Sequence, residues 1–185
     1  SYKHEGGTHV TTENLSDSVS RVRVRTWVRN ERAERQAVEL TTAIVGADGR
    51  VVALASTPQN IRPQETALYD EEFEIVGPKR WSPASPDLYK VVSTVTAGGR
   101  TCDRYETVFG IRTFVWNHDE RRLYVNGEPV NIQGFNRHQE YPWLGDAIPY
   151  FIHRMDLLDM KRNLNCTALR PGQYCSGPEV FALAD

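Results

Sequence analysis

Five side chains in the last third of the sequence could recognise a polar ligand. Asn136, Arg137 and His138 are consecutive, Trp143 follows in the same polar and aromatic stretch, and Arg170 lies further on. An amide and two guanidinium groups donate hydrogen bonds, and an imidazole can donate, accept or carry a proton. An indole offers a flat apolar face. This is a binding set, and no residue of the chain is assigned as catalytic. Glu140 and Asp146 are read as loop acids that bond a ligand hydroxyl or face water. No two histidines stand at metal-ligand spacing on one element, and Cys102, Cys166 and Cys175 lack C-x-x-C spacing. The sequence therefore predicts no metal site and no cofactor, with the cysteines as free thiols. His153, beside Arg154 on a helical stretch, reads as a surface residue.

The elements around these residues would bring them together. Leu123-Tyr124-Val125, Asn126-Gly127 and Val130-Asn131-Ile132 read as a short hairpin. The polar loop follows. From Tyr150 to Leu164 the apolar period is helical, with Phe151, Met155 and Leu158 on one stripe and Leu157, Met160 and Leu164 on the adjoining one. A short strand from Cys166 to Leu169 ends at Arg170. Ser176-Gly177-Pro178-Glu179 then reads as a helix start with proline in its first turn. Strands separated by one helix pair in parallel through a right-handed crossover, so their C-terminal ends share one edge. Asn136, Arg137 and His138 would meet Arg170 there, at the edge where α/β sheets and barrels bind ligands.

Residues before about 111 read differently. Val22, Val24, Thr26 and Val28 alternate with Arg21, Arg23, Arg25 and Arg29, giving one apolar and one charged face. The arginine ladder reads as a solvated strand face, with anion binding as the alternative. Similar alternation recurs at 37–44, 69–75 and 89–95. Asp48-Gly49 and Gly98-Gly99 mark turns, and Ile61 to Pro63 reads as a loop or edge. About seven short strands with turn signals and no helical period predict two packed antiparallel sheets, an immunoglobulin-like sandwich. The predicted fold class is mainly β: that sandwich over 1–111, followed over 112–185 by a β-α-β-α stretch with a parallel strand pair.

Composition removes other classes. A net charge of −2 argues against a nucleic-acid binder. No apolar run approaches the roughly 20 residues of a membrane-spanning helix, so no membrane partner is expected. Ser1-Tyr2-Lys3-His4 does not open a signal peptide. A trimmed terminus would look the same, so periplasmic, secreted and cytoplasmic locations all stay open.

Several segments carry a family pattern in register. Trp81-Ser82-Pro83-Ala84-Ser85-Pro86-Asp87-Leu88-Tyr89 resembles the "W-S-P-x-x-P-x-L-Y" signature of the family 2 glycoside hydrolases, the group of β-galactosidases, β-glucuronidases and β-mannosidases. Phe109-Gly110-Ile111-Arg112 resembles its "F-G-x-R" junction, and Asn126-Gly127-Glu128-Pro129-Val130 its "N-G-K-P-V" hairpin. Gly134 to Gln139 resembles "G-x-N-R-H-E". Asp156 to Lys161, with Asn165 and Arg170, resembles "D-l-x-x-M-K-x-x-x-x-N-x-x-R".

The resemblance implies that residues 112–185 are the first βα units of a truncated (β/α)8 barrel that follows the sandwich, and that the parent is a retaining hydrolase of terminal β-glycosides, β-galactosides first, acting in carbohydrate metabolism. β-Glucuronides or β-mannosides are the alternatives. A non-catalytic immunoglobulin-like module that spaces or binds carbohydrate is the reading from another class. Such enzymes use two carboxyl groups about 5 Å apart. In the family both are glutamates of later barrel strands, so this chain alone is expected to be inactive. The resemblance also makes His138 a sugar contact, sets Arg170 beside the nucleophilic glutamate, and leaves Trp143 either a stacking platform or a packed loop aromatic. One departure stands out. The family's "R-x-S-H-Y-P" is here Arg170-Pro171-Gly172-Gln173-Tyr174-Cys175, and glutamine cannot carry the proton a histidine could. Without a full ring of strands, the helical stripe at Phe151, Met155, Leu158 and Met160 would stay uncovered. Self-association into a homo-oligomer, or disorder beyond about residue 135, is the expectation.

Overall fold

The computed structural model describes residues 7–173 and 175–185. The Ser1–His4 stretch and Tyr174, both used in the sequence reading, lie outside the described residues. The chain divides into two compact units, Ser1–Thr113 and Phe114–Asp185.

The first unit is a two-sheet sandwich. Its strands are β1 (Thr8–Asn14), β2 (Val19–Arg29), β3 (Gln36–Val45), β4 (Val51–Ile61), β5 (Thr66–Val76), β6 (Tyr89–Ala97) and β7 (Arg100–Phe109). One sheet has the order β1-β2-β5 and the other β4-β3-β6-β7, with antiparallel pairing throughout. Period-two alternation decides which side chains face inward. Val22 and Val24 are fully buried and pack with Ile44, Phe73, Ile75, Tyr89, Val91, Phe109 and Ile111. A second cluster holds Val38, Leu40, Ile61 and Tyr69.

The arginine ladder is matched by acids on β5: Arg21 faces Glu74, Arg23 faces Glu72 and Arg25 faces Asp70. Arg23 grips Asp70 with two bonds, Nε to Oδ1 at 2.7 Å and Nη2 to Oδ2 at 2.6 Å. That contact holds the Asp70 carboxyl below its ordinary range. The ladder is an exposed charged face balanced within its own sheet. Ile61 ends β4, an edge strand that also accommodates Pro58. β1 carries a single aliphatic residue, Val10, so alternation does not mark it in the sequence.

Two of the family-like segments pack on each other. Trp81 N–H donates to the Ile111 carbonyl at 3.0 Å, and the Arg112 guanidinium lies 4.2 Å over the Trp81 ring. A Cβ on Gly110 would sit 2.8 Å from the Cβ of Trp81, so this junction needs glycine for close approach.

The second unit contains β8 (Phe114–Asn117), β9 (Arg122–Val125), β10 (Glu128–Val130), β11 (Gly134–Asn136), α1 (Tyr150–Arg162), β12 (Ala168–Arg170) and α2 (Pro178–Ala184). β10-β9-β8 form a small antiparallel sheet. Asn126 and Gly127 turn its hairpin with φ of 54° and 85°, the left-handed pair that a two-residue turn requires. β11 and β12 pair in parallel across α1. The first strand of this βαβ unit is therefore Gly134–Asn136, separate from the hairpin, and β12 begins two residues later than the apolar run suggests.

One helix expectation needs correction. His153 is fully buried, not on the surface. It follows the buried Ile152 on the side of α1 that packs against α2, where Glu179 Oε1 lies 3.6 Å from its Nε2. Phe151 and Met155 are exposed, at 65% and 55%, as expected of a stripe without a full ring of strands, and the covered face of α1 is centred on Ile152 and His153. Neither apolar stripe read from the sequence contains Ile152 or His153, and it is packing against α2 that covers this face.

Candidate functional site: the edge of a parallel strand pair

The β11–β12 register sets Gly134 opposite Ala168, Phe135 opposite Leu169 and Asn136 opposite Arg170. The strands approach so closely that a Cβ on Gly134 would lie 1.9 Å from the Ala168 carbonyl oxygen. Arg137 N–H continues the ladder by donating to the Arg170 carbonyl at 2.9 Å. The strands thus finish together at one edge.

Asn136 is the hub of that edge. Its Oδ1 accepts from Arg170 Nη1 at 2.9 Å and from the Gly172 backbone N–H at 3.1 Å. Both partners are donors only, so the orientation of the amide is fixed. Its Nδ2 then points at His138 Nε2, 3.1 Å away. An amide NH2 only donates, so Nε2 must accept and the imidazole proton sits on Nδ1. Nδ1 lies 3.6 Å from Glu140 Oε2. The imidazole is thereby oriented, with its ring partly open to solvent. Asn136, His138, Glu140 and Arg170 are all accessible to a ligand.

Arg137 behaves differently. Its side chain is 8% exposed, and both Nε (2.9 Å) and Nη2 (2.7 Å) bond to Oδ2 of Asp156 on α1. Asp156 Oδ1 also accepts from the Tyr141 hydroxyl at 2.9 Å. That bond raises the Tyr141 phenol above its ordinary range, because the proton is shared with a carboxylate. Asp156 therefore ties the loop after β11 to the helix. Neither Asp156 nor Tyr141 is among the residues picked from the sequence. Asp156 does open one of the family-like runs, which is the signal that could have found it.

Trp143 is not gathered into this cluster. It stands in the turn closed by Tyr141 and Gly145, with φ of 70°, and is fully exposed. It is not packed within the loop. Asp146 and Gln173 are also exposed. Among the described residues, no group of three or more His, Cys, Asp or Glu side chains could hold a metal ion.

The sequence and the fold match a known family. Residues 7–112 match the model of glycosyl hydrolases family 2, and residues 117–185 match that family's TIM barrel domain. The chain belongs to glycosyl hydrolases family 2. Its family 2 relatives include a β-glucuronidase of Formosa agariphila, 34% identical over 77% of this chain and 15% of the relative. A β-galactosidase of Thermoanaerobacter pseudethanolicus is 27% identical over 98% of the chain and 23% of the relative. Among solved structures, Bacteroides uniformis β-glucuronidase 2, covalently bound to cyclophellitol-6-carboxylate aziridine, superposes with a TM-score of 0.90. It is 26% identical over 97% of this chain and 22% of that one. The chain spans less than a quarter of the length of these family 2 relatives. It carries the family's sandwich and the start of its TIM barrel domain.

Proposed function

We propose that the chain forms one wall of the sugar site in a retaining β-glycosidase. The observation that carries this reading is the Asn136 amide, which joins Arg170 and His138 at the C-terminal edge of a parallel strand pair. That edge is where barrels bind substrate. An imidazole held by an amide, beside a guanidinium, suits hydrogen bonding to sugar hydroxyls. The same guanidinium would lower the pKa of a carboxylate placed next to it, as a glycosidase nucleophile requires.

In this reading His138 and Asn136 contact the sugar, and Arg170 orients the nucleophile. Arg137 is a positioning residue that acts through Asp156. Trp143 supplies an apolar platform at the rim. The two catalytic carboxyl groups come from barrel strands outside these 185 residues, since a whole barrel takes about 250 residues. The boundary between sandwich and barrel is placed at about residue 112. The substrate is a terminal β-galactoside. A β-glucuronide is the second reading, favoured by the 34% identical relative of that name.

Aryl β-galactoside and aryl β-glucuronide assays test this on both the chain and the complete parent polypeptide. The parent turns over one of them and the chain turns over neither. Turnover by the purified chain, above a mock preparation, overturns the assignment of the catalytic pair. A parent inactive on both, and on an aryl β-mannoside as well, overturns the glycosidase reading.

A further inference from the structure

Helix α1 hides one ionisable side chain that the edge site does not use. His153 is fully buried, and neither ring nitrogen has a hydrogen-bond partner among the described residues. A neutral imidazole carries one donor and one acceptor, so leaving both unmet in the interior costs stability. Its neighbour on α2 is a carboxylate: Glu179 Oε1 lies 3.6 Å from His153 Nε2. That separation is longer than a hydrogen bond, yet short enough for a small turn of the flexible glutamate to close.

The surroundings single out this pair. α2 is the element packed against this face of α1, and Glu179 is the ionisable residue in its sequence. One turn to either side on α1 itself, Tyr150 is exposed and Asp156 is committed to Arg137 and Tyr141. Arg154, next in sequence, is exposed. Glycine at 177 makes room for the contact. A Cβ there would lie 2.1 Å from Glu179 Oε1, so the carboxylate fills the space that Gly177 leaves open. The Glu179 side chain thus folds back over the start of α2, within reach of His153, and is 35% exposed.

We propose that His153 and Glu179 form a proton-operated latch between α1 and α2. Taking a proton from solvent gives the imidazole an N–H on both nitrogens, whichever tautomer it starts from. Nε2 then donates a charge-assisted hydrogen bond to Glu179 Oε1, stronger than a neutral one. Releasing the proton leaves α2 without that bond. A group that gains its partner when protonated adds stability at low pH and loses it as pH rises, so the latch closes in acid. It acts on the helix whose Asp156 anchors the loop after β11, and it steadies that loop without touching a ligand.

Amide hydrogen exchange of the 185-residue chain, corrected for the intrinsic pH dependence of exchange, tests it. The range from about pH 8 to about pH 5 spans the titration of an imidazole while a carboxylate stays largely ionised. Protection of the α2 amides should rise about tenfold across that range, as for one charge-assisted hydrogen bond. His153→Leu and Glu179→Gln should each abolish the rise. Near pH 8 the latch is released, so neither variant should lose protection there. Gly177→Ala should abolish the rise as well, because its Cβ displaces the carboxylate while both partners remain. Histidine 15N spectra should show the His153 ring protonated at the acid end. Wild-type protection that does not change with pH would overturn the latch. So would a rise that survives in either His153→Leu or Glu179→Gln, or a ring still neutral at the acid end. None of these outcomes bears on the glycosidase reading, which the turnover assays decide separately.

Discussion

Arg170 Nη1 donates a 2.9 Å hydrogen bond to Oδ1 of Asn136, across 34 positions of sequence. The two residues are direct partners in the parallel register of β11 and β12. Their contact is a product of strand pairing, and it leaves the other face of the Asn136 amide to fix the His138 ring. One amide thereby sets the orientation of both a cation and an imidazole.

Replacing Asn136 should release both. Asn136→Ala in the parent enzyme is expected to lower kcat/KM on the order of tenfold to a hundredfold, the effect of losing one or two hydrogen bonds at a site. Asn136→Asp is the sharper probe. A carboxylate keeps the bond from Arg170 but cannot donate to His138 Nε2, so the imidazole should take up a proton at Nε2. Histidine 15N shifts would report that change. Unchanged kinetics in both variants would remove Asn136 from the site.

Gly134→Ala attacks the strand pairing itself. Its Cβ would meet the Ala168 carbonyl at 1.9 Å, and that obstacle is backbone, which cannot rotate away. A loss of about 3 kcal/mol in the second unit is expected, at the upper end of overpacking costs. Faster amide exchange at Phe135 and Arg137 would accompany it, with the sandwich unaffected.

Asp156→Ala should be costly in a different way. It strands the buried guanidinium of Arg137 and removes the acceptor of the Tyr141 hydroxyl. Breaking a largely buried pair costs about 3 kcal/mol. Denaturant melts of Asp156→Ala, Arg137→Ala and the double variant would show strong coupling if the pair acts as drawn. Additive losses would contradict it.

The sandwich should weaken in alkali. Burial raises the phenols of Tyr69 and Tyr89 above the ordinary value of 10.0. The unfolded chain therefore loses these protons first, and stability falls as pH rises. The contribution is fully present below about pH 10 and disappears as pH climbs through the raised folded values. Tyr69 is the cleaner test, because its buried hydroxyl has no partner. Tyr69→Phe should flatten the alkaline limb of a pH–stability curve at little cost near neutrality.

His153 offers an opposite expectation. Both ring nitrogens are buried without a hydrogen-bond partner among the described residues, and Glu179 Oε1 lies 3.6 Å from Nε2. An apolar replacement removes that desolvation penalty, so His153→Leu should leave stability unchanged or raise it by about 1 kcal/mol. A large loss of thermal stability would show that the imidazole makes a bond absent from this geometry.

Local chemistry wrote much of this protein into its sequence. The alternation at Val22 and Val24, the Asn126-Gly127 turn, the helical period after Tyr150 and the proline opening α2 each depend on residues a few positions apart. They specified a sandwich followed by a parallel βαβ unit, and they placed Asn136, His138 and Arg170 at one edge. Contacts between remote elements were decided only by the tertiary structure. Nothing near Arg137 in sequence shows that its guanidinium is spent on Asp156, and nothing near His153 shows that α2 covers it. Periodicity sets which way a side chain points; what it meets there depends on the packing of segments far along the chain.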